Sequence, residues 1–270
     1  MTQTYKFIAD EEELKFFYEH GVPRLKRNEI YFVSLSCRNK ALSEEERRIF
    51  QCGRSEMFAK QQIRHDTFES FLQHIKRFEV RQDAYLTKSG LPYPQKSLVV
   101  YWNICPIDAY AAMKDQMNYL NEVMSSLTDS AIKNSQGGMD EAFYKVRKSF
   151  DTCQSLFARN FGSRMWIDID VDYDQFGMHE YQLIMDALWN FSVYKYFEKG
   201  DIMAVKTGGG MHFLIRREKI KFDPKHLIQK IKAILPDAKE VVRNKNEMIP
   251  LPGSFQYGVP VEIWNKEDFV

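Results

Sequence analysis

Three aspartates at alternate positions, Asp168, Asp170 and Asp172, interrupt the apolar run from Met165 to Asp172, MWIDIDVD. Successive side chains of a strand point to opposite faces, so the aspartates share one face and Ile167, Ile169 and Val171 share the other. The apolar face can pack on helices. The acidic face needs a separate reason, because carboxylates crowded two residues apart repel one another and resist ionisation. A divalent cation removes that cost, and the hard ions Mg²⁺ and Mn²⁺ prefer oxygen ligands. The plain alternative is an amphipathic strand with a solvated acidic face.

A second group lies some forty residues on. In VKTGGGMHFLI, Val205 to Ile215, two apolar strands flank Thr207, Gly208, Gly209 and Gly210. Glycines let the backbone take positive φ and let a ligand come close to the main chain. Successive N–H groups of such a turn can hold phosphate oxygens. Lys206 and Thr207 would add a cation and a hydroxyl, and His212, at the start of the next strand, could reach the same phosphate. No GK[ST] follows the glycines, so this is not a P-loop. A strand rather than a helix follows, so it is not a dinucleotide fingerprint. A simple hairpin turn is the competing explanation.

The elements that must position these groups form a regular series. Apolar periodicity and turn signals predict a strand at RMWIDIDVD, a helix at EYQLIMDALWNFSVYKYF, strands at DIMAVKT and MHFLIRR, a helix at PKHLIQKIKAIL, and short strands near EMIPL and PVEIW. Strand–helix–strand–strand–helix–strand is the order of a ferredoxin-like or RNA-recognition-type sheet with helices on one face. The earlier chain predicts a helix at ADEEELKFFYEHGV, a strand at Glu29 to Ser36, a helix capped by Ser43, and a helix from Asp66 to Phe78. A strand at SLVVYWNI follows, then a long helix with Pro106 in its first turn, a loop from Thr128 to Asp140 and a helix at EAFYKVRKSFDTCQSLFARN. The fold class expected is α/β (α+β): an N-terminal α/β module over 1–160 packed against an RNA-recognition-like module over 161–270, in one compact unit.

Composition sets bounds. The 270 residues are 44% hydrophobic with a net charge of +1, enough for a real core and not the signature of a globally basic nucleic-acid binder. Any such surface must be local: Arg24, Lys26 and Arg27, Arg38 and Lys40, and the basic stretch from Arg216 to Lys245 are its candidates, with Tyr173, Phe176, Phe255 and Tyr257 as residues that could stack on bases. Cys37, Cys52, Cys105 and Cys153 form no CxxC and are expected to be reduced, mostly buried thiols; a zinc site would have to draw on Cys37, Cys52 and His65. The N-terminal stretch has no apolar core of a signal peptide and no run is long enough to span a bilayer, so a cytoplasmic protein with no membrane partner is expected.

Taken together, the Asp-x-Asp strand, the helix and Thr-Gly-Gly-Gly-Met-His on the following hairpin resemble the archaeo-eukaryotic primase superfamily, the primase-polymerases, most of all those of plasmids, phages and CRISPR-associated systems. The specific likeness spans roughly Arg164 to Trp264. The resemblance implies a catalytic core that makes or extends primers on single-stranded DNA from a primer strand and (d)NTPs. It implies two Mg²⁺ or Mn²⁺ ions, no organic cofactor, and catalytic metal ligands Asp168, Asp170 and a third acid upstream of Leu251-Pro252-Gly253-Ser254. Asp237 is that acid, with Glu240 and Glu262 as the runners-up. Lys206, Thr207, the three glycines and His212 would grip the triphosphate, with Arg243 and Lys245 near it. The family's zinc-binding cysteine cluster is not evident. Two other readings stand beside this one: an RNA-recognition-type binding module without catalysis, in which Asp168 and Asp170 would repel a nucleic-acid backbone, and a metal-dependent nuclease or phosphohydrolase using the same side chains to cut.

Overall fold

The computed structural model describes residues 3–51, 55–63, 67–132, 144, 162, 165–173, 175–191, 197–220, 223, 225–237, 239–243 and 248–270; for 55–63, 126–127, 129–132, 191 and 240–243 it describes the backbone alone. The class is α+β, as expected.

Helix α1 (Glu11–His20) begins where Asp10 accepts hydrogen bonds from the amides of Glu12 and Glu13. Strand β1 (Glu29–Arg38) follows. The helix α2 (Glu44–Phe50) opens on a capping box between Ser43 and Glu46, the start that its sequence signals. Strand β2 (Ser55–Ile63), α3 (Phe68–Lys76) capped by Thr67, β3 (Leu98–Asn103) and β4 (Ile107–Asp108) complete this half, with α4 (Ala109–Ile132) leaving it. The long helix was expected to start at Pro106. Instead Ile107 and Asp108 pair with β1, and the Asp108 carboxylate accepts from the amide of Ala111 at 3.0 Å, so the helix starts one turn later. It also runs through Thr128 to Ile132, where a loop was expected; the Thr128 hydroxyl bonds back to the carbonyl of Met124. The expected helix at 141–160 lies outside the described residues, apart from Tyr144.

The second half supplies β5 (Trp166–Asp172), α5 (Met178–Phe191), β6 (Ile202–Thr207), β7 (Gly210–Arg216), α6 (Lys225–Ile234), β8 (Lys239–Arg243), β9 (Met248–Pro250), β10 (Phe255–Gln256), β11 (Val259–Pro260) and β12 (Glu262–Ile263). One antiparallel sheet has the order β12-β6-β7-β5-β8, and another β2-β1-β3-β9, with β4 also on β1. The expected series of strands and helices is thus present, with one correction. The strand that completes it is Lys239–Arg243, beside β5, and not the EMIPL stretch. Residues 248–250 of that stretch cross back to pair with β3 in the first sheet. The last strand, from PVEIW, extends the second sheet on the far side of β6.

The second sheet is covered on both faces. Ile169, Val171, Met211 and Phe213 pack on Ile184, Met185 and Leu188 of α5 and Leu227 and Ile231 of α6. On the opposite face Trp166, Met203, Val205, Leu214 and Ile263 join Phe17, Phe71 and Trp102 in one core with the first sheet. Among the described residues no disulfide forms: Cys37 and Cys105 are buried in that core, while Cys52, Cys153 and His65 lie outside the described residues. No helix among the described residues is long and apolar enough to cross a membrane.

Candidate functional site

Register decides which chemical groups meet. On β5 and β7, Asp170 is paired with His212 and Asp168 with Leu214, so the two aspartates and the histidine lie on the face turned toward the first sheet. That face is apolar at the Trp166 and Leu214 end and polar from Asp168 onward. His212 bridges the two acids. Its Nδ1 lies 3.0 Å from both oxygens of Asp168, and its Nε2 lies 3.7 Å from Asp170 Oδ1. All three are buried; Asp168 is 0% exposed. Two carboxylates and an imidazole thus share a water-poor space, where a bound cation or proton acts far more strongly than in water.

The glycine turn sits at the next level up the strand, where Gly210 pairs with Asp172. Its construction is specific. The Thr207 hydroxyl donates to the Gly210 carbonyl and accepts from the Gly209 amide, each at 3.3 Å, so it shapes the turn itself. Gly210 has φ of 148° and lies against the carbonyl of Val171, where a side chain would collide. At Gly208 an added Cβ would come 2.6 Å from the carbonyl of Gln256, because the β10–β11 hairpin rests on the turn. Gly209 is open, its nearest neighbours being 3.7 Å away.

Other expected residues fall elsewhere. Lys206 is paired with Met211 and points to the helix-covered face, away from His212. Its ammonium bonds to the Phe176 carbonyl and sits 5.2 Å from the Phe176 ring and 4.9 Å from the Trp264 ring. Burial there pulls its pKa below the ordinary lysine value, against the opposing pull of Glu180 and Glu262. Asp237 does not join the dyad. It is exposed in the turn before β8, two residues ahead of Lys239, which pairs with Asp172. Asp172 is itself four residues from Asp168, about 13 Å at strand rise. The β8 positions that share the acidic face are 239, 241 and 243, occupied by Lys, Val and Arg. Glu240 and Glu262 pair with Val171 and Lys206, positions of the other face. Arg243 pairs with Asp168 in register, and Lys245 lies outside the described residues.

At the level of Asp172, beyond Asp168 and Asp170 along β5, lies a cavity of about 720 Å³ lined by residues of both halves. Its lining comes from Asp172, Tyr173 and Gln175 at the end of β5, Gly208 and Gly209 of the turn, Asp237 ahead of β8 and Lys239 at its start, Lys40 and Arg47 of the first half, and Tyr257 of the β10–β11 turn. Asp172 and Lys40 pair across it at 3.6 Å. Arg47 was not singled out in the sequence, and Lys239 was marked only as part of the basic stretch from Arg216 to Lys245; what unites them is a cleft between elements far apart in order. Among the described residues no group of three or more His, Cys, Asp or Glu is set to hold a metal ion. No protein-family profile, no curated protein and no solved structure matches the chain.

Proposed function

We propose that the chain is a template-directed nucleotidyltransferase of the primase-polymerase class, joining (d)NTPs to a primer strand on single-stranded DNA. The observation that supports this best is the meeting of Asp168, Asp170 and His212 on one buried face, Asp168 and His212 being 44 residues apart in the chain. The donor chemistry fits a magnesium or manganese ion: two carboxylates of one strand offer hard oxygens to the same side, and such ions take further ligands from substrate phosphates and water. Asp168 and Asp170 would hold the metal. The three-acid set through Asp237 is not assembled, so a second ion would share the same two acids and the substrate. When bound, the metal pair would activate a hydroxyl and offset charge on the leaving pyrophosphate.

The chain's own residues do the rest. His212 fixes the rotamer of Asp168 through Nδ1. Arg243, whose backbone pairs level with Asp168, would supply a cation to balance phosphate charge. The core at the Trp166 end closes that side of the site, so substrate enters from the glycine turn. A recognition module reading nucleic acid on an open sheet fits less well, because the face in question is covered by the first half of the chain.

The test is synthesis on unprimed and primed single-stranded DNA with NTPs or dNTPs and Mg²⁺ or Mn²⁺. The intact chain should lengthen strands, and the Asp168→Ala/Asp170→Ala variant, folded by circular dichroism, should not. Shortened template would make the chain a nuclease, and undiminished synthesis by the double variant would remove the dyad from the mechanism.

A further inference from the structure

The hairpin turn joining β10 to β11 carries an unusual residue. Tyr257 has φ of 58° and Gly258 φ of 81°, so both central positions of this two-residue loop are left-handed. Such turns normally take Asn-Gly or Asp-Gly, since a large side chain is strained there. Strain of this kind persists where it serves a site. The strained tyrosine lines the cavity with its ring lying along the glycine turn, 3.1 Å and 3.7 Å from where a Cβ on Gly208 and on Gly209 would stand. Behind it Arg38 reaches the tyrosine. Burial lowers the Arg38 pKa, but Tyr101, a hydrogen bond with Tyr257, and Asp172 outweigh it and hold the guanidinium charged.

The cavity's volume of about 720 Å³ falls in the range of small-molecule sites. Its charged lining holds three cations, Lys40, Arg47 and Lys239, against two carboxylates, Asp172 and Asp237. Lys40 already sits 3.6 Å from Asp172, which leaves the pocket with an excess of positive charge. A lining that holds the rings of Tyr173 and Tyr257 together with three cations suits a ligand with a flat apolar part and an anionic tail.

We infer that this cavity is a nucleoside-triphosphate site in which Tyr257 stacks on the base while Lys40 and Arg47, from the other half of the chain, hold the phosphates. The inference rests on the reading that the chain uses nucleotides, and it adds to that reading three residues outside the aspartate and histidine motifs. It also gives the first half a role: that half brings Lys40 and Arg47 to a pocket otherwise lined by strand ends and the glycine turn of the second sheet.

Equilibrium binding of dATP and of inorganic triphosphate to the full chain tests it. Tyr257→Asn keeps a residue suited to the left-handed turn and removes the ring. It should weaken dATP binding about tenfold and leave triphosphate binding unchanged. Lys40→Ala/Arg47→Ala, both exposed positions, should weaken both ligands by about tenfold or more. Unchanged dATP affinity in both variants overturns the inference, as does equal loss of both ligands in Tyr257→Asn. The Asp168→Ala/Asp170→Ala chain separates the two readings. Should the binding pattern hold while no strand is ever lengthened, the nucleotide site stands and the polymerase reading fails. If lengthening needs the dyad but ignores Tyr257, Lys40 and Arg47, the reverse is true.

Discussion

His212 contacts two acids of one strand, and each contact asks something different of the ring. Nδ1 lies at hydrogen-bond distance from Asp168, which has no exposure to water; Nε2 sits 3.7 Å from Asp170, at the wetter end. Cutting the ring away takes a hydrogen-bond partner from the buried Asp168 side chain, and removing one partner of a buried polar contact costs about 1–3 kcal/mol. His212→Ala should therefore destabilise the fold by about 2 kcal/mol. Adding Asp168→Asn should recover much of that, since a neutral amide tolerates burial better. Urea unfolding of the two single variants and the double variant measures the coupling; strictly additive effects would show that the contact carries no energy. Lys206 teaches the opposite lesson. It adjoins Thr207 in sequence, yet alternation sends it to the other face, among Phe176 and Trp264.

The β6–β7 hairpin orders its glycines by what surrounds them. Gly210 lies against the Val171 carbonyl at φ of 148°, so Gly210→Ala meets both a clash and a strained backbone, and should cost about 2 kcal/mol or more. Gly208→Ala must push back the β10–β11 hairpin, whose Gln256 carbonyl is 2.6 Å from the new Cβ. Gly209→Ala meets nothing closer than 3.7 Å and should change stability by less than about 0.5 kcal/mol. Thermal melts of the three variants should rank 210, 208, 209 from worst to best; a damaging Gly209→Ala would contradict this account of the turn. The hairpin, the acidic face of β5 and the Ser43 cap were legible in the sequence because each is set by neighbours within a few residues. The rest was not local. Which strand flanks β5 depends on how α6 and its turn return the chain, so Lys239–Arg243 took the place expected for EMIPL, and Asp237 was left outside the dyad. The β2 strand, SEMFAKQQI, mixes apolar and polar residues without clean alternation, and its pairing along β1 from Tyr31 to Arg38 reveals it.

At the scale of the molecule the two sheets are joined rather than merely adjacent. Trp166, Leu214 and Ile263 share a core with Phe17 and Trp102, and β9 returns the chain to the first sheet. Helix α1 is tied to the C-terminal strands: buried Glu13 accepts from the Ile263 amide at 2.5 Å and pairs with Lys266, while the Trp166 indole donates to the Gly21 carbonyl at 3.0 Å. Loosening either sheet should therefore loosen both. Alkali offers a way to see this. Burial and the nearby Tyr85 raise the Tyr5 pKa from 10.0 to about 12, although its hydrogen bond to the Tyr93 carbonyl also stands at 2.8 Å. Burial, with Asp268 and Glu267, raises Tyr181 in the other core to about 12 as well. A tyrosine whose pKa is raised on folding binds its proton longer in the folded chain than in the unfolded one. Stability on this account is level below the unfolded value of 10.0 and falls as pH climbs toward about 12. Denaturant midpoints from pH 8 to 11.5 should show that decline above pH ~10, and Tyr5→Phe should make it shallower by removing one of the titrating groups. Far-ultraviolet dichroism and tryptophan fluorescence should trace a single transition at each pH. Two separated transitions would mean that the shared core around Trp166 does not couple the sheets.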